Sequence, residues 1–242
     1  VYETGADEIL CSNHYQGKKF AFEYTNLKNQ IESSSLYRKV RLKQLLQNQK
    51  KVNYREAANI LRNQNGINEK NIGLGNEKAM NQLIAHHGVI FKPKSRLMWV
   101  SVNPYQCGKF LCYNLNEVFN KVKDVDSKTV LFIDSLTIPS DPFIYSSSYQ
   151  DYKKFKNLKS YIQFITKAPG HLYLKSKFEN AFIESNSKSY FTYQILGDYY
   201  KSRFNYQTAF DYYKKALVFE IATQKEENQI KKDLIYCFNR IK

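Results

Sequence analysis

The sequence lacks several features that would place it at once in a known class of protein. Its longest apolar runs, such as Thr129–Ile133 and Val130–Leu136, are far shorter than the roughly 20 residues that span a bilayer, so we expect no membrane span. The four cysteines are too few for a disulfide scaffold, and no pair has CxxC spacing. No HExxH motif or carboxylate cluster occurs. The sequence therefore predicts no metal site and no cofactor, and it leaves the redox compartment open.

The chain has fewer acidic than basic residues. There are 37 Lys and Arg against 22 Asp and Glu, which gives a formal charge of +15. Such an excess is typical either of a solvated lysine-rich surface or of a protein with an acidic partner. The basic residues are spread from Lys18 to Lys242, and the sequence has no zinc knuckle and no aromatic–basic RNA-binding motif. This distribution favours the solvated surface and predicts that the chain does not bind nucleic acid.

The pattern of apolar and turn residues predicts strands in the first part of the chain and helices in the second. The predicted strands are Glu8–Tyr15, Ile84–Lys92, Arg96–Val102, Lys109–Tyr113 and Thr129–Ile133. The predicted helices are Leu36–Leu46 (capped by Ser33–Ser35), Tyr54–Leu61, Asp151–Thr166, His171–Ser185, Ser189–Ser202, Tyr206–Phe219 and Glu220–Ile241. This order predicts an α+β fold. Residues 1–145 would form a sheet domain and residues 146–242 a helical extension, with Pro139–Ser148 as the linker.

One helix pair near the C-terminus has the spacing of a tetratricopeptide repeat. The matching residues are Leu196, Gly197, Tyr200, Ala209, Tyr213 and Ala216, and Tyr193 stands where the repeat commonly has Trp. Ile221 stands at the position of the closing proline, which predicts that the last helix continues without a turn. A free-standing solenoid needs at least three repeats, so we expect a structural hairpin packed on the main domain more than a peptide-binding module.

A few side chains are candidates for chemistry, and each has an ordinary structural alternative. Asn13 ends the first predicted strand, where its amide would donate to a developing oxyanion or cap a turn; spacing alone favours the cap. Cys11 and His14 would face opposite sides of that strand, so we interpret Cys11 as a buried structural residue and not as a nucleophile. His86 and His87 also alternate on a predicted strand and would not share a metal.

Three blocks of the sequence occur in a recognisable order. They are Leu10–Gln16 (LCSNHYQ), Ser35–Leu42 (SLYRKVRL), and residues 72–93 followed by residues 98–115. Together they resemble the acyl-coenzyme A:6-aminopenicillanic acid acyltransferase-like family of autoproteolytic N-terminal-nucleophile hydrolases and acyltransferases. The first block resembles a strand that ends in Thr-Asn-His-aromatic, with Ser12 in place of Thr, and the second a Ser-x-x-Arg-x-x-Arg-Leu helix start. The likeness covers Ile9 to Leu115 well and the rest loosely.

This resemblance implies a four-layer αββα fold, of which residues 1–145 would be the C-terminal part. It implies a precursor that cuts itself to expose an N-terminal Cys, whose thiol attacks an amide or thioester carbonyl while its α-amino group acts as the base. Asn13 would help to form the oxyanion hole, His14 would support it, and Tyr15 and Arg38 would contact the substrate. No cysteine of the chain lies near its start in the family's nucleophile context. We therefore expect an upstream segment or another chain to supply the nucleophile.

The resemblance also sets the expected partner and location. The substrate would be a small molecule with an amide or acyl group, and the source would be bacterial. The location stays open; it would be the cell envelope or periplasm if an upstream segment carried a signal peptide. The rival hypothesis is a non-catalytic protein-interaction module with a tetratricopeptide-like tail.

Overall fold

The computed structural model describes residues 9–47, 51–121, 126, 129–168 and 172–241. The fold is α+β, as predicted, with one antiparallel sheet and a largely helical C-terminal half. The strands are β1 (Val89–Lys92), β2 (Leu97–Ser101), β3 (Phe110–Asn114) and β4 (Phe132–Ile138). The helices are α1 (Tyr24–Glu32), α2 (Ser35–Leu46), α3 (Tyr54–Leu61), α4 (Leu115–Lys121), α5 (Ser147–Lys167), α6 (Ser176–Ser185), α7 (Tyr190–Ser202), α8 (Tyr206–Ala216) and α9 (Gln224–Phe238).

The sheet has the order β1-β2-β3-β4, with antiparallel neighbours throughout. Residues paired across strands lie on the same face, so the register divides the side chains into two sets. The covered face carries Ile90, Trp99, Cys112 and Ile133, and Tyr54 of α3 stacks on Trp99 with 4.6 Å between ring centroids. The covered face and α3 therefore form one hydrophobic core.

The opposite face of the sheet is apolar but poorly covered, and we call it the open face. It consists of Val89, Phe91, Met98, Val100, Leu111, Tyr113 and Phe132. Phe91 is 60% exposed and Val89 is 43% exposed, while the other members are partly buried. Among the described residues, none of the three buried clusters includes a member of this face.

Several local predictions from the sequence are wrong. Ile9–Tyr15, the described part of the first predicted strand, is irregular, and the polar segment that follows contains α1, which the sequence analysis missed. His86 and His87 precede β1 and do not lie on a strand. The predicted linker Pro139–Ser148 contains a helical turn at Pro142–Tyr145, whose Phe143 and Ile144 pack against the main core. His171, the predicted start of a helix, lies outside the described residues.

The C-terminal helices pack on α5 and on one another. Tyr152, Phe155, Ile162 and Ile165 of α5 are buried together with Leu196 of α7 and with neighbouring side chains. The short connection between α7 and α8 makes an antiparallel hairpin, as the sequence predicted. Because the chain turns between Ala216 and Gln224, the predicted continuous last helix is wrong. The likeness of this hairpin to a tetratricopeptide repeat stays a prediction.

Glycine is required at the closest approach of α7 and α8. A Cβ on Gly197 would lie 2.7 Å from Cε1 of Tyr213. The Tyr213 ring is fully buried, and its hydroxyl donates a hydrogen bond to the Asp198 carboxylate at 2.6 Å. Glycine at position 197 therefore lets the Tyr213 ring pack directly against α7. Lys201 has its ammonium 5.7 Å from the centre of the Tyr213 ring and forms an ion pair with Asp233.

Contacts also join the N-terminal and C-terminal parts of the chain. Leu83 and Cys107 belong to the same buried cluster as the α5 and α7 side chains, while the domain division at residue 146 stays a prediction. Ser34 Oγ donates to the carbonyl of Ala222 at 2.7 Å. Glu220 accepts from Lys70 at 2.7 Å and from Lys78 at 2.8 Å, and these lysines lower the pKa of Glu220 against the opposing effect of burial.

The described helices include none that is long and apolar enough to cross a membrane.

Candidate functional site

The segment from Ser12 to Tyr15, which bends at Asn13 and His14, is held in place by side chains and not by a partner strand. The Tyr15 amide donates to Asn26 Oδ1 at 2.7 Å, and Asn26 Nδ2 donates back to the Tyr15 carbonyl at 2.9 Å. Asn29 Nδ2 donates to the Asn13 carbonyl at 2.6 Å. Asn26 is only 3% exposed, so its buried side-chain amide on α1 makes the backbone hydrogen bonds that a neighbouring strand would make in a sheet. The predicted site segment is therefore fixed by the helix that the sequence analysis missed.

Asn13 and Arg38, two of the four predicted site residues, are in direct contact. Arg38 Nη2 donates to Asn13 Oδ1 at 2.6 Å, and Arg38 Nη1 donates to the carbonyl of Glu77 at 2.7 Å. Since a guanidinium can only donate, the Asn13 oxygen has to face Arg38 and the Nδ2 group has to face the other way. Burial lowers the pKa of Arg38, although its group remains charged at neutral pH.

His14 belongs to a second hydrogen-bonded group. His14 Nδ1 is 2.8 Å from Ser35 Oγ, and Ser12 Oγ donates to the Ser35 carbonyl at 2.7 Å. Ser35 is fully buried at the start of α2. Burial, with a smaller effect from the charge of Lys39, lowers the pKa of His14, so the imidazole is neutral at pH 7. This geometry suits a residue that holds the segment in place.

A groove of about 460 Å³ runs along this segment. Its lining residues are Ser12, Asn13, His14, Tyr15, Thr25, Asn26 and Asn29. Tyr15 is 66% exposed, and its ring lies 5.7 Å from that of Phe20. Three of the predicted site residues, Asn13, His14 and Tyr15, thus line one groove. Arg38 contacts Asn13 but does not line the groove. Asn26 and Asn29 are further groove residues that no motif in the sequence indicated.

The cysteines differ in how exposed they are. Cys11 is exposed, so the prediction that it is buried is wrong, because the segment carrying it does not enter a sheet. Cys107 and Cys112 are buried, and burial raises the pKa of the Cys107 thiol to about 11. Within the described part of the chain, no three His, Cys, Asp or Glu side chains come together as a metal site.

The groove therefore offers hydrogen-bond donors and a neutral imidazole beside an exposed aromatic ring. Comparison of the chain with family models, with curated proteins and with solved structures found no match. The resemblance to the acyltransferase family stays a prediction from three sequence blocks, and residues of two of these blocks, Asn13 and Arg38, are in contact.

Proposed function

We propose that the chain is the acyl-binding portion of a Cys-nucleophile amidohydrolase or acyltransferase that acts on an amide or thioester bond. The observation that carries this proposal is the hydrogen bond from Arg38 to Asn13 Oδ1. It joins residues of two sequence blocks that lie 25 positions apart. The nucleophilic Cys comes from an upstream segment or another chain.

The contact with Arg38 supports an oxyanion-hole role for the Asn13 amide. With its oxygen held by Arg38, Asn13 presents Nδ2, which has no acceptor among the described residues, beside the groove that Asn13 lines. When a thiolate attacks a carbonyl carbon, negative charge develops on the carbonyl oxygen, and a donor fixed beforehand stabilises that charge without reorganising. Arg38 is itself fixed by the Glu77 carbonyl, so we assign it a positioning role.

His14 and Tyr15 have supporting roles in this proposal. His14 ties the segment to buried Ser35, which keeps the neighbouring Asn13 backbone in place. The exposed Tyr15 ring provides an apolar wall for the acyl group of a small substrate. No proton transfer is assigned to His14, because the α-amino group of the nucleophilic Cys would serve as the base.

The open face of the sheet supports the finer fold that this function requires. We propose that a second sheet, carried by the segment or chain with the nucleophile, packs on it to complete a four-layer αββα arrangement. Seven apolar side chains from four strands point to this face, and apolar sheet faces are normally covered by another layer.

The test uses this chain assembled with the part that carries the nucleophilic Cys. Asn13→Ala should lower kcat by about 10²–10³ and leave KM nearly unchanged, because the lost hydrogen bond forms fully only in the transition state. Arg38→Met should lower kcat by a smaller factor, since the amide is then free to rotate. Asn157→Ala, at an exposed position of α5, is the matched control.

Two results would count against the proposal. One is an Asn13→Ala enzyme with unchanged kcat. The other is turnover of amides or thioesters by this chain alone that Cys11→Ser abolishes, because the nucleophile would then be Cys11. We expect the isolated chain to be inactive and Cys11→Ser to have no effect in the assembled enzyme.

A second candidate function is a protein-interaction module, and one groove favours it. This groove of about 670 Å³ lies against α5, α7 and α9, with Gln194, Asp198 and Lys201 among its lining residues. Gln194 Oε1 is buried without a hydrogen-bond partner in the described chain, so a small rotation would let it accept from a peptide N–H. Two results together would favour this candidate. Extended peptides should bind saturably, with binding lost in Gln194→Leu, and Asn13→Ala should keep full catalytic activity.

A further inference from the structure

A second enclosed space lies between α5, the start of α7 and the loop that precedes β1, and we call it the α5 cavity. Its volume is about 290 Å³, close to that of ten liquid water molecules at about 30 Å³ each. It shares no lining residue with the Asn13 groove. Leu83, Phe155 and Phe191 supply apolar wall, while Lys156 and Lys159 line it from successive turns of α5.

Lys159 is partly buried and Lys156 is exposed, and both differ from two partly buried lysines that form ion pairs. Lys78 is paired with Glu220, and Lys201 with Asp233. By contrast, neither Lys156 nor Lys159 has a carboxylate partner among the described residues. Lys156 Nζ donates to the Tyr105 hydroxyl at 2.6 Å, and Lys159 Nζ lies 5.1 Å from the centre of the Phe191 ring.

The positive charge of exposed Lys156 acts on Lys159, which is partly buried beside the apolar wall. Burial, and next the charge of Lys156, lower the pKa of Lys159. A bound carboxylate would offset both effects, because it would neutralise the repulsion and accept charge-assisted hydrogen bonds from the ammonium groups. The cavity therefore lacks the negative group that its lysines would pair with.

The glutamates at the cavity do not supply this charge. Glu226 Oε1 accepts from the Tyr190 hydroxyl at 2.9 Å, and Glu226 Oε2 accepts from the Thr223 amide and hydroxyl at the start of α9. Glu77 is exposed, and no ion pair joins it to either lysine in the described residues. An anion that pairs with both lysines would therefore come from a ligand.

We propose that the α5 cavity binds a small carboxylic acid with an apolar body, its carboxylate on Lys156 and Lys159 and its body against Leu83, Phe155 and Phe191. The volume fits an acid of about ten non-hydrogen atoms, since a non-hydrogen atom and a water molecule occupy comparable space. Two separate ammonium groups suit a carboxylate whose oxygens are contacted singly, and the apolar wall disfavours free inorganic phosphate, which has no apolar part. This site is separate from the proposed catalytic groove.

The experiment is calorimetric titration of the full chain with 3-phenylpropionate. Its neutral analogue 3-phenylpropanamide is the ligand control, and inorganic phosphate tests for general anion binding. The acid should bind saturably, and the amide at least about tenfold more weakly, since a charge-assisted hydrogen bond contributes about 1.5–3 kcal/mol.

Variants then test the location. Lys159→Met should weaken binding of the acid by about tenfold or more. Lys154→Met, at an exposed position of α5 that does not line the cavity, should leave binding unchanged. Urea unfolding of each variant verifies that it is folded, and Lys159→Gln is the alternative should Lys159→Met not fold. Equal affinity for acid and amide, equal affinity for phosphate and acid, full binding by the folded Lys159 variant, or no saturable binding up to about 10 mM acid would each overturn the proposal.

Discussion

Gly197→Ala separates two opposing effects on the stability of the α7–α8 hairpin. Alanine is favoured over glycine in a helix interior by about 1 kcal/mol, so propensity alone predicts a more stable chain. The new Cβ, however, would lie 2.7 Å from Cε1 and 2.8 Å from Cδ1 of Tyr213. Carbon atoms prefer a separation of about 3.5–4.0 Å, so the ring would have to move by nearly 1 Å.

The Tyr213 ring has little room for such a movement. It is fully buried, and its hydroxyl is bonded to Asp198, the residue next to Gly197. Overpacking of a core costs about 1–3 kcal/mol and occasionally more. We therefore expect Gly197→Ala to lower the free energy of unfolding by up to about 2 kcal/mol despite the gain in propensity.

Urea unfolding followed by far-UV circular dichroism measures this change, with an unaltered slope as evidence that the unfolded state is the same. Asn157→Ala, at an exposed position of α5, is the control. Helix propensity alone should raise its free energy of unfolding by about a few tenths of a kcal/mol. Gly197→Ala combined with Tyr213→Leu should show a coupling of about 1 kcal/mol or more, because the smaller side chain removes the clash. A Gly197→Ala chain that is about 1 kcal/mol more stable than the parent would refute the reasoning.

Two further predictions concern buried charges. Burial raises the pKa of Asp198 above its ordinary value of 3.8, so the folded state binds more protons than the unfolded state above that pH and the stability falls as the pH rises. Asp198→Asn should therefore raise the urea midpoint at pH 7 and have little effect near pH 3; a lower midpoint at pH 7 would contradict this. Arg62 donates to the carbonyls of Gln106, Gly108 and Pro139, and Arg62→Met should cost about 3 kcal/mol or more because these acceptors lose their donor. Arg55→Met, on the exposed side of α3, should cost less than about 0.5 kcal/mol, and equal losses for the two variants would show that the Arg62 contacts are not stabilising.

Local signals account for the elements that the sequence predicted well. Helix α3 begins and ends where predicted, and it starts from a capping box in which Asn53 accepts from the amide of Glu56 while the Glu56 carboxylate accepts from the amide of Asn53. Such a start depends on four neighbouring residues and needs no tertiary contact. The general order, with strands before the C-terminal helices, was predictable for the same reason, although α1 and α4 were not predicted.

The errors occur where long-range contacts decide the structure. The segment before Tyr15 has the composition of a strand, yet its backbone bonds go to Asn26 and Asn29 on a short polar helix. The family resemblance named Asn13 and Arg38 as candidate site residues, but their hydrogen bond was not predictable, because it depends on how α2 is placed against the segment. The α5 cavity had no sequence signal, since its lining comes from separate parts of the chain.

The contacts between Ser34 and Ala222 and around Glu220 have a consequence for the order of folding during synthesis. The Ser34–Ala222 bond joins residues 188 positions apart, and the Lys70 bond to Glu220 joins residues 150 positions apart. A ribosome releases the N-terminal residues first, so α2 emerges long before its acceptor at Ala222 exists. Closing such long loops is slow, because their entropy has to be lost before the contact forms. The final arrangement around α2 therefore forms only after Ala222 has been synthesised, and a ribosome stalled before Ala222 would hold a chain in which Ser34 lacks this acceptor.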